Sequence, residues 1–263
     1  MTAQQTPKDW KTYDQFAFGI DTNRLPASQA LKGKSFAVAF DDGRRLDLAF
    51  TDGDTLAWRE GSLAGAEAAD VVQVAEDTFF VDIAFAALPT EAETLILNLV
   101  SRRVLSVRSI VRKPEESVGE PQVAQVFRVG VIDDGQPATG PVPAETRDLI
   151  GLRAHFTYSP NHVYEHTYLS SQRYCWQCLK GVQRGHGDVD LTTTFKFAED
   201  QYVFTFREFK IPVASVFFYN FATLRSTGKF LGITGDGKLA NNKAGAHISK
   251  ASMTLYRPGE APV

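Results

Sequence analysis

The chain is written twice. Gly33 falls on Gly151 at an offset of 118, and the same offset carries Phe40 onto Tyr158, Phe50 onto Tyr168 and Trp58 onto Trp176. Further along the offset becomes 123, where Ala75-Glu76-Asp77-Thr78-Phe79 lies on Ala198-Glu199-Asp200-Gln201-Tyr202. At an offset of 122, Asn98 meets Asn220 and Arg103 meets Arg225. Identities are few, but order and spacing hold across seven segments. The period is far above the roughly 20–50 residues of a solenoid repeat, so the chain reads as one domain duplicated. Asp133 to Glu145, DDGQPATGPVPAE, is rich in Pro and Gly and reads as the join. The expected division is residues 1–138, a linker over 139–147, and residues 148–263.

What repeats is strand. FAVAF, RLDLAF, TLAW, TFFVDIAF, TLILNLV, VLSVRSIV and VAQVFRVGVI fill the first half. HFTY, VYEHTYL, RYCWQCL, TTTFKF, YVFTFREF, SVFFYNF, GKFLGI and SMTLYR fill the second. Most alternate or are rich in β-branched and aromatic residues, and turn signals such as Asp41-Asp42-Gly43 separate them. Many short antiparallel strands without helical periodicity predict an all-β fold, a barrel or a sandwich in each copy.

The two copies differ inside. Leu46, Leu48 and Phe50 alternate with Arg45, Asp47 and Ala49, so the apolar set faces a core. The offset places Tyr164, His166 and Tyr168 at those positions. Leu56 and Trp58 become Tyr174 and Trp176, and Leu97 becomes Tyr219. Phe79, Val81, Ile83 and Phe85 become Tyr202, Phe204, Phe206 and Glu208. One barrel thus has an ordinary apolar core and its twin a polar-aromatic interior, with Glu165, Arg207 and Cys175 pointing outward or toward the other domain. An unpaired buried hydroxyl costs about 1–3 kcal/mol and an unpaired carboxylate more. Stability alone does not call for such a lining, whereas a small ligand-holding barrel does.

The residue types set the expected chemistry. His166, Glu208 and Tyr168 are the candidate catalytic groups: a histidine with an ordinary pKa near 6.5 suits proton transfer, and a carboxyl walled by Phe204 and Phe206 is either raised by desolvation or paired with His166. Tyr164, Tyr174, Trp176, Tyr202, Phe204, Phe206 and Tyr219 are the candidate substrate-binding set, phenols for oxygens and rings for stacking. Cofactor-free lyase, decarboxylase or isomerase chemistry on a small aromatic or apolar metabolite is the leading expectation. A carrier for an aromatic or amine ligand is the alternative.

Other features exclude more than they suggest. The net charge of -3 offers no basic field for nucleic acid or an anionic membrane. No apolar run approaches the roughly 18–20 residues that span a bilayer, and the opening residues lack a signal-peptide pattern. The expectation is a cytoplasmic protein with no membrane or nucleic-acid partner, for which a homodimer is open. Cys175 and Cys178 form C-x-x-C with no second pair, and on a strand they point to opposite faces, so they read as structural thiols. His162 and His166 on one strand stand about 13 Å apart, too far to chelate a metal together. Gly232 to Lys238 matches G-x-x-x-x-G-K, but Leu239 follows where a P-loop needs Ser or Thr, so it reads as a loop. Arg44-Arg45 and Glu115-Glu116 read as solvated surface charges.

Y-E-H-T-Y-L (164–169), Y-C-W-Q-C-L-K-G (174–181), F-T-F-R-E-F-K-I-P (204–212) and T-G-K-F-L-G (227–232) resemble the C-terminal half of the MoaF family. D-T-F-F-V-D-I (77–83) and T-L-I-L-N-L (94–99) resemble its N-terminal half, so the likeness spans nearly the whole chain. Phe206 stands where many relatives carry Trp before Arg-Glu, an aromatic for an aromatic. The resemblance implies two calycin (lipocalin-like) domains, in agreement with the duplication. The family is often labelled as molybdenum-cofactor biosynthesis, and its name is also tied to monoamine-regulated metabolism. The sequence holds no thiolate cage, phosphate loop or basic patch for a pterin or molybdenum, so no cofactor is expected. The calycin fold is similar to that of phenolic acid decarboxylases, which work without cofactors through Tyr, Arg and Glu inside a barrel, a likeness of fold only.

Overall fold

A computed structural model describes residues 9–51 and 54–263. Eight strands form the first barrel: β1 (Ser35–Phe40), β2 (Arg45–Phe50), β3 (Thr55–Glu60), β4 (Leu63–Ala75), β5 (Thr78–Ala84), β6 (Glu91–Asn98), β7 (Arg103–Val111) and β8 (Val123–Ile132). Each pairs antiparallel with the next, and β1 with β8 closes the ring. A short strand β9 (Ala144–Glu145) follows. The second barrel runs β10 (Leu152–Ser159), β11 (His162–Tyr168), β12 (Arg173–Lys180), β13 (Gly187–Ala198), β14 (Gln201–Arg207), β15 (Val213–Asn220), β16 (Arg225–Ile233) and β17 (Leu239–Met253). β10 pairs with β17, β12 with β13, and β9 adds to the edge of β13. The fold is therefore the expected pair of antiparallel barrels, and each is closed and eight-stranded.

Strand register reproduces the duplication. Leu48 faces Trp58 and Phe79 faces Leu97 in the first barrel; His166 faces Trp176 and Tyr202 faces Tyr219 in the second. The alternation on β2 puts Leu46, Leu48 and Phe50 in the core with Val81, Leu95 and Val104. On β11 the same alternation puts Tyr164 and Tyr168 in the core, with His166 buried between them.

Several segments differ from expectation. β4 is a full strand although Leu63 to Asp70 is Ala- and Gly-rich; its pairing with β3 and β5 outweighs weak propensity. β17 begins at Leu239, so Asn241 to Gly245 is strand, paired with Leu231 to Thr227 of β16. The predicted linker is not all linker, because Ala144–Glu145 pairs with β13. Arg44 is a correction: it is buried, inside the end of the first barrel, and only Arg45 is a surface charge. Arg44 and Arg108 lock Glu60 and Glu93 there, with Arg44 Nη1 2.7 Å from Glu93 Oε1, Arg108 Nη2 2.6 Å from Glu60 Oε2, and Ser106 Oγ donating to Glu93. Four charges in one lattice neutralise one another, so burial is tolerated.

The barrels lie side by side through a shared apolar wall. Phe80, Ile96, Leu105 and Val107 on the outside of the first meet Phe195, Val203, Val216 and Phe218 on the outside of the second. Polar pins fix the alignment: Gln125 Nε2 donates to the Ser215 carbonyl, Asn220 Nδ2 to the Val74 carbonyl, and Lys229 Nζ sits 2.6 Å from Asp82.

The chain before β1 joins the wrong barrel for its place in sequence. A five-residue helix α1 (Tyr13–Ala17) buries Tyr13 and Phe16, and with Ile20 these belong to the core of the second barrel. Arg24 then ion-pairs with Asp70 of the first. The expected first domain therefore carries, within residues 9–25, a strap laid over its twin; residues 1–8 lie outside the described residues. No helix among the described residues is long and apolar enough to cross a membrane.

Candidate functional site

A cavity of about 40 Å³ opens at one end of the second barrel, lined by Tyr158, Tyr164, His166, Tyr174, Trp176, Gln183, Phe206, Glu208 and Phe230, with Phe16 and Ile20 of the strap closing it. The corresponding end of the first barrel is the ion lattice. Each member of that lattice is replaced in the second copy: Arg44 by His162, Glu60 by Cys178, Glu93 by Ser215 and Arg108 by Phe230, the last two facing each other across β15 and β16 as Glu93 and Arg108 do across β6 and β7. Loss of the lattice leaves the space.

One carboxylate is common to both barrels. In the first, Trp58 Nε1 donates to Glu67 Oε1 at 3.4 Å, and the Ala86 amide donates to the same oxygen at 3.2 Å. In the second, Trp176 Nε1 donates to Asp190 Oδ2 at 2.9 Å, and the Phe209 amide also stabilises the Asp190 anion. This indole–carboxylate pair is part of the scaffold. What the second barrel adds is Glu208, where the first has Phe85 packed at 4.7 Å on Trp58. Glu208 is buried, 6% exposed.

Two carboxyls in one dry site cannot both ionise freely. Burial raises Glu208 well above its ordinary 4.5, and the neighbouring Asp190 raises it further. Burial likewise lifts Asp190 to about 7, with Asp188 adding to the rise and the Trp176 bond opposing it. The two titrate as a pair, and at neutral pH at least one proton stays on it. Lys210, 2.8 Å from Asp188, is the nearby cation.

His166 has a different character. It is ringed by Phe156 at 4.4 Å, Tyr174 at 5.2 Å and Phe204 at 5.9 Å. Burial drops its pKa to about 3, and the Glu165 carboxylate on the outer face offsets little of that. Of the two alternatives for Glu208, the ion pair with His166 is not made; His166 is a neutral imidazole. Its Nδ1 has no hydrogen-bond partner among the described residues, and neither have the hydroxyls of Tyr168 and Tyr219. Those two phenols influence each other's ionisation, yet stand outside hydrogen-bond geometry. Buried polar atoms are seldom left unpaired, so these three, with Asp190 Oδ1 as a fourth in the same barrel interior, mark a place built for something other than packing.

Of the residues singled out from sequence, Tyr164, His166, Tyr174, Trp176, Phe206 and Glu208 line the cavity. Tyr168, Phe204 and Tyr219 lie in the core around His166. Tyr202 is at a different place: its hydroxyl donates to Asp148 at 3.0 Å in a surface depression, apart from the cavity. Asp190 and Gln183 were not foreseen. Carrying the offset of 123 back before Ala75 puts Glu67 on Asp190, which is the signal that finds it. Gln183, whose Oε1 accepts from Tyr164 at 2.8 Å, sits in a turn with no counterpart to reveal it.

The outward residues are accounted for. Glu165 takes Gln177 at 2.6 Å, Arg153 at 2.7 Å and His155 at 3.0 Å, which together hold it below the usual range against the opposing effect of burial. Arg207 reaches across to Gln125 and lies over Phe127 of the first barrel. Cys175 and Cys178 are both free thiols, one half-buried and one buried.

A pterin or molybdenum cofactor does not fit this site. Such a group brings phosphate and oxo anions, whereas the cavity is lined by the Glu208 carboxyl, with Asp190 acting on it from behind, and by no Lys or Arg. Among the described residues no cluster of three or more His, Cys, Asp or Glu could hold a metal.

Two fused eight-stranded barrels, one sealed by ions and one opened around a carboxyl pair, define a tandem-barrel protein with a single specialised half. Residues 8–113 match the MoaF N-terminal domain and residues 143–254 the MoaF C-terminal domain. The chain is 32% identical over 253 residues to Protein MoaF of Klebsiella aerogenes, covering 91% of this chain and 94% of that protein. It belongs to the MoaF family. A solved structure from Burkholderia vietnamiensis with a provisional beta-lactamase designation matches 41% of this chain and all of its own at 14% identity, with a TM-score of 0.36.

Proposed function

We propose that the second barrel binds a small aromatic or apolar metabolite and carries out cofactor-free acid–base chemistry on it, of the lyase, decarboxylase or isomerase type. The observation that carries this reading is Glu208, a buried carboxyl beside Asp190, where the sister barrel has Phe85. A phenylalanine there serves stability better; a carboxyl kept protonated near neutrality serves as a proton donor. Glu208 is the acid and Asp190 holds its proton affinity high. Tyr164 and Tyr174 offer hydroxyls to the ligand's oxygen, with Tyr168 and Tyr219 deeper, and Trp176 and Phe206 sandwich its ring. His166 acts as a neutral hydrogen-bonding group, because a pKa near 3 makes it a weak base. That same weakness favours a second reading, a carrier in which the carboxyls only bind.

A thermal-shift screen with phenolic acids, aromatic aldehydes, aromatic amines and pterins tests the proposal. A ligand at 100 times its Kd adds about 2.7 kcal/mol of stability. The expected hit is an aromatic compound whose shift shrinks in Tyr164→Phe and which wild type converts while Glu208→Gln binds without turnover. If both proteins bind and neither converts, the protein is a carrier. If no class shifts the melting temperature, the ligand reading is wrong.

A further inference from the structure

We infer that the strap over residues 9–25 is a gate: it closes the cavity as a removable wall and must leave for the cavity to reach ligand size. A void of about 40 Å³ holds a few waters at most, against the roughly 300 Å³ or more of an ordinary small-molecule pocket. The barrel's own walls are fixed by continuous ladders on every side. Phe16 and Ile20 are the lining residues that do not belong to the barrel or its loops. Their side chains occupy the volume a ligand would take.

The strap is attached in a way that suits release. Its helix has one turn and a half, too short to be stable alone. Five cross-bonds hold it: Tyr13 hydroxyl to the Phe230 carbonyl at 2.7 Å, the Asn242 amide to that hydroxyl at 3.1 Å, the Gly235 amide to Asp14 at 2.9 Å, the Gly245 amide to the Ile20 carbonyl at 3.1 Å, and, on the exposed rim, His186 Nε2 with Asp9 at 3.1 Å. Trp10 covers the outside, 5.8 Å from Trp176, with Lys210 Nζ 4.0 Å from its ring centre. Beyond Ile20 the anchoring is firmer: the Asn23 amide bonds Tyr158, and Arg24 pairs with buried Asp70 of the first barrel. The segment from Trp10 to Ile20 thus swings from a hinge at Asp21–Thr22, and Phe18, 82% exposed, already stands out in solvent. The first barrel shows the alternative, a mouth sealed by Arg44, Glu60, Glu93 and Arg108 with nothing to remove.

Amide hydrogen exchange tests the gate without any ligand. The amides of Gly235 and Asn242, whose partners are on the strap, are expected to exchange at least tenfold faster than the ladder amides of His166 and Trp176. Tyr13→Phe should speed the first pair again and leave the second unchanged. A Cβ built on Gly235 lies 3.4 Å from Thr12 Cβ, within disulfide reach, so oxidised Thr12→Cys/Gly235→Cys should slow Gly235 and Asn242 to the ladder rate, reversed by reductant. Equal exchange of both groups in wild type, unaltered by Tyr13→Phe, overturns the proposal. That the cavity receives a metabolite rests on the preceding section: a strap that opens while no compound binds sinks that reading alone, and a compound that binds the oxidised lock as fast as the reduced form sinks the gate alone.

Discussion

Glu208→Gln is expected to be more stable than wild type at pH 8 and to lose function. The sign follows from the direction of each shift. Glu208 and Asp190 have folded pKa values above their ordinary ones, so their contribution is complete below about pH 4 and is lost as pH rises through the raised values, about 7 for Asp190 and well above 4.5 for Glu208. His166 is depressed, so its contribution is complete above its ordinary 6.5 and is lost as pH falls toward about 3. Above pH 6.5 the carboxyl pair alone shapes the curve. Each proton that the folded pair holds and the unfolded chain has lost makes stability fall by roughly 1.4 kcal/mol per pH unit, so wild type should lose stability steadily between pH 6.5 and 8. The amide removes one acid and lets Asp190 ionise beside a neutral neighbour, which flattens the decline. Urea denaturation at half-unit pH steps measures both curves. Parallel curves for wild type and variant would mean that the two carboxyls do not share a dry site.

Glu93→Ala is expected to be among the most damaging substitutions in the chain. Glu93 is fully buried and takes Arg44, Arg108 and Ser106 on its two oxygens. Its removal leaves two guanidinium groups to Glu60, which is partly exposed, and to Glu91, 3.6 Å from Arg108. Breaking a buried network by deleting one partner costs about 3–5 kcal/mol. For a chain of this size that corresponds to a melting point lower by roughly 10 °C. Replacing Arg44, Glu93 and Arg108 together with Met or Leu should recover most of the loss, because the buried charges go as a set. Chemical denaturation of both variants decides it; a loss below about 1 kcal/mol for Glu93→Ala would show that water reaches the lattice.

These two variants touch features of unequal legibility. The carboxyl pair was half visible. Glu208 came from the repeat, because Phe85 marks its position as inward; Asp190 did not, because the offset changes between Trp58 and Ala75 and the Ala/Gly-rich start of β4 gives no pattern to align. The lattice was invisible. Arg44 next to Arg45 looks like a solvated pair, and nothing local tells which arginine meets glutamates 16 and 49 residues away. Barrel closure was readable because alternation is a property of each strand by itself. The strap was not: α1 is too short to show a period, and its partners on β16 and β17 are more than 200 residues distant. Tyr202 was misplaced along the barrel axis, since alternation gives the face of a strand but not the depth.

The wall between the barrels bears on how such a chain can be taken apart. Phe80, Ile96 and Leu105 look outward from one ring and Phe195, Val203 and Phe218 outward from the other, and each set is dry only because the other covers it. Neither half is thus a module in the ordinary sense. Cut at the linker, each would carry a greasy flank of the kind that drives association or precipitation. The joint core makes each barrel the cover of its twin, so the apolar first half is part of what keeps the polar-lined second half in solution.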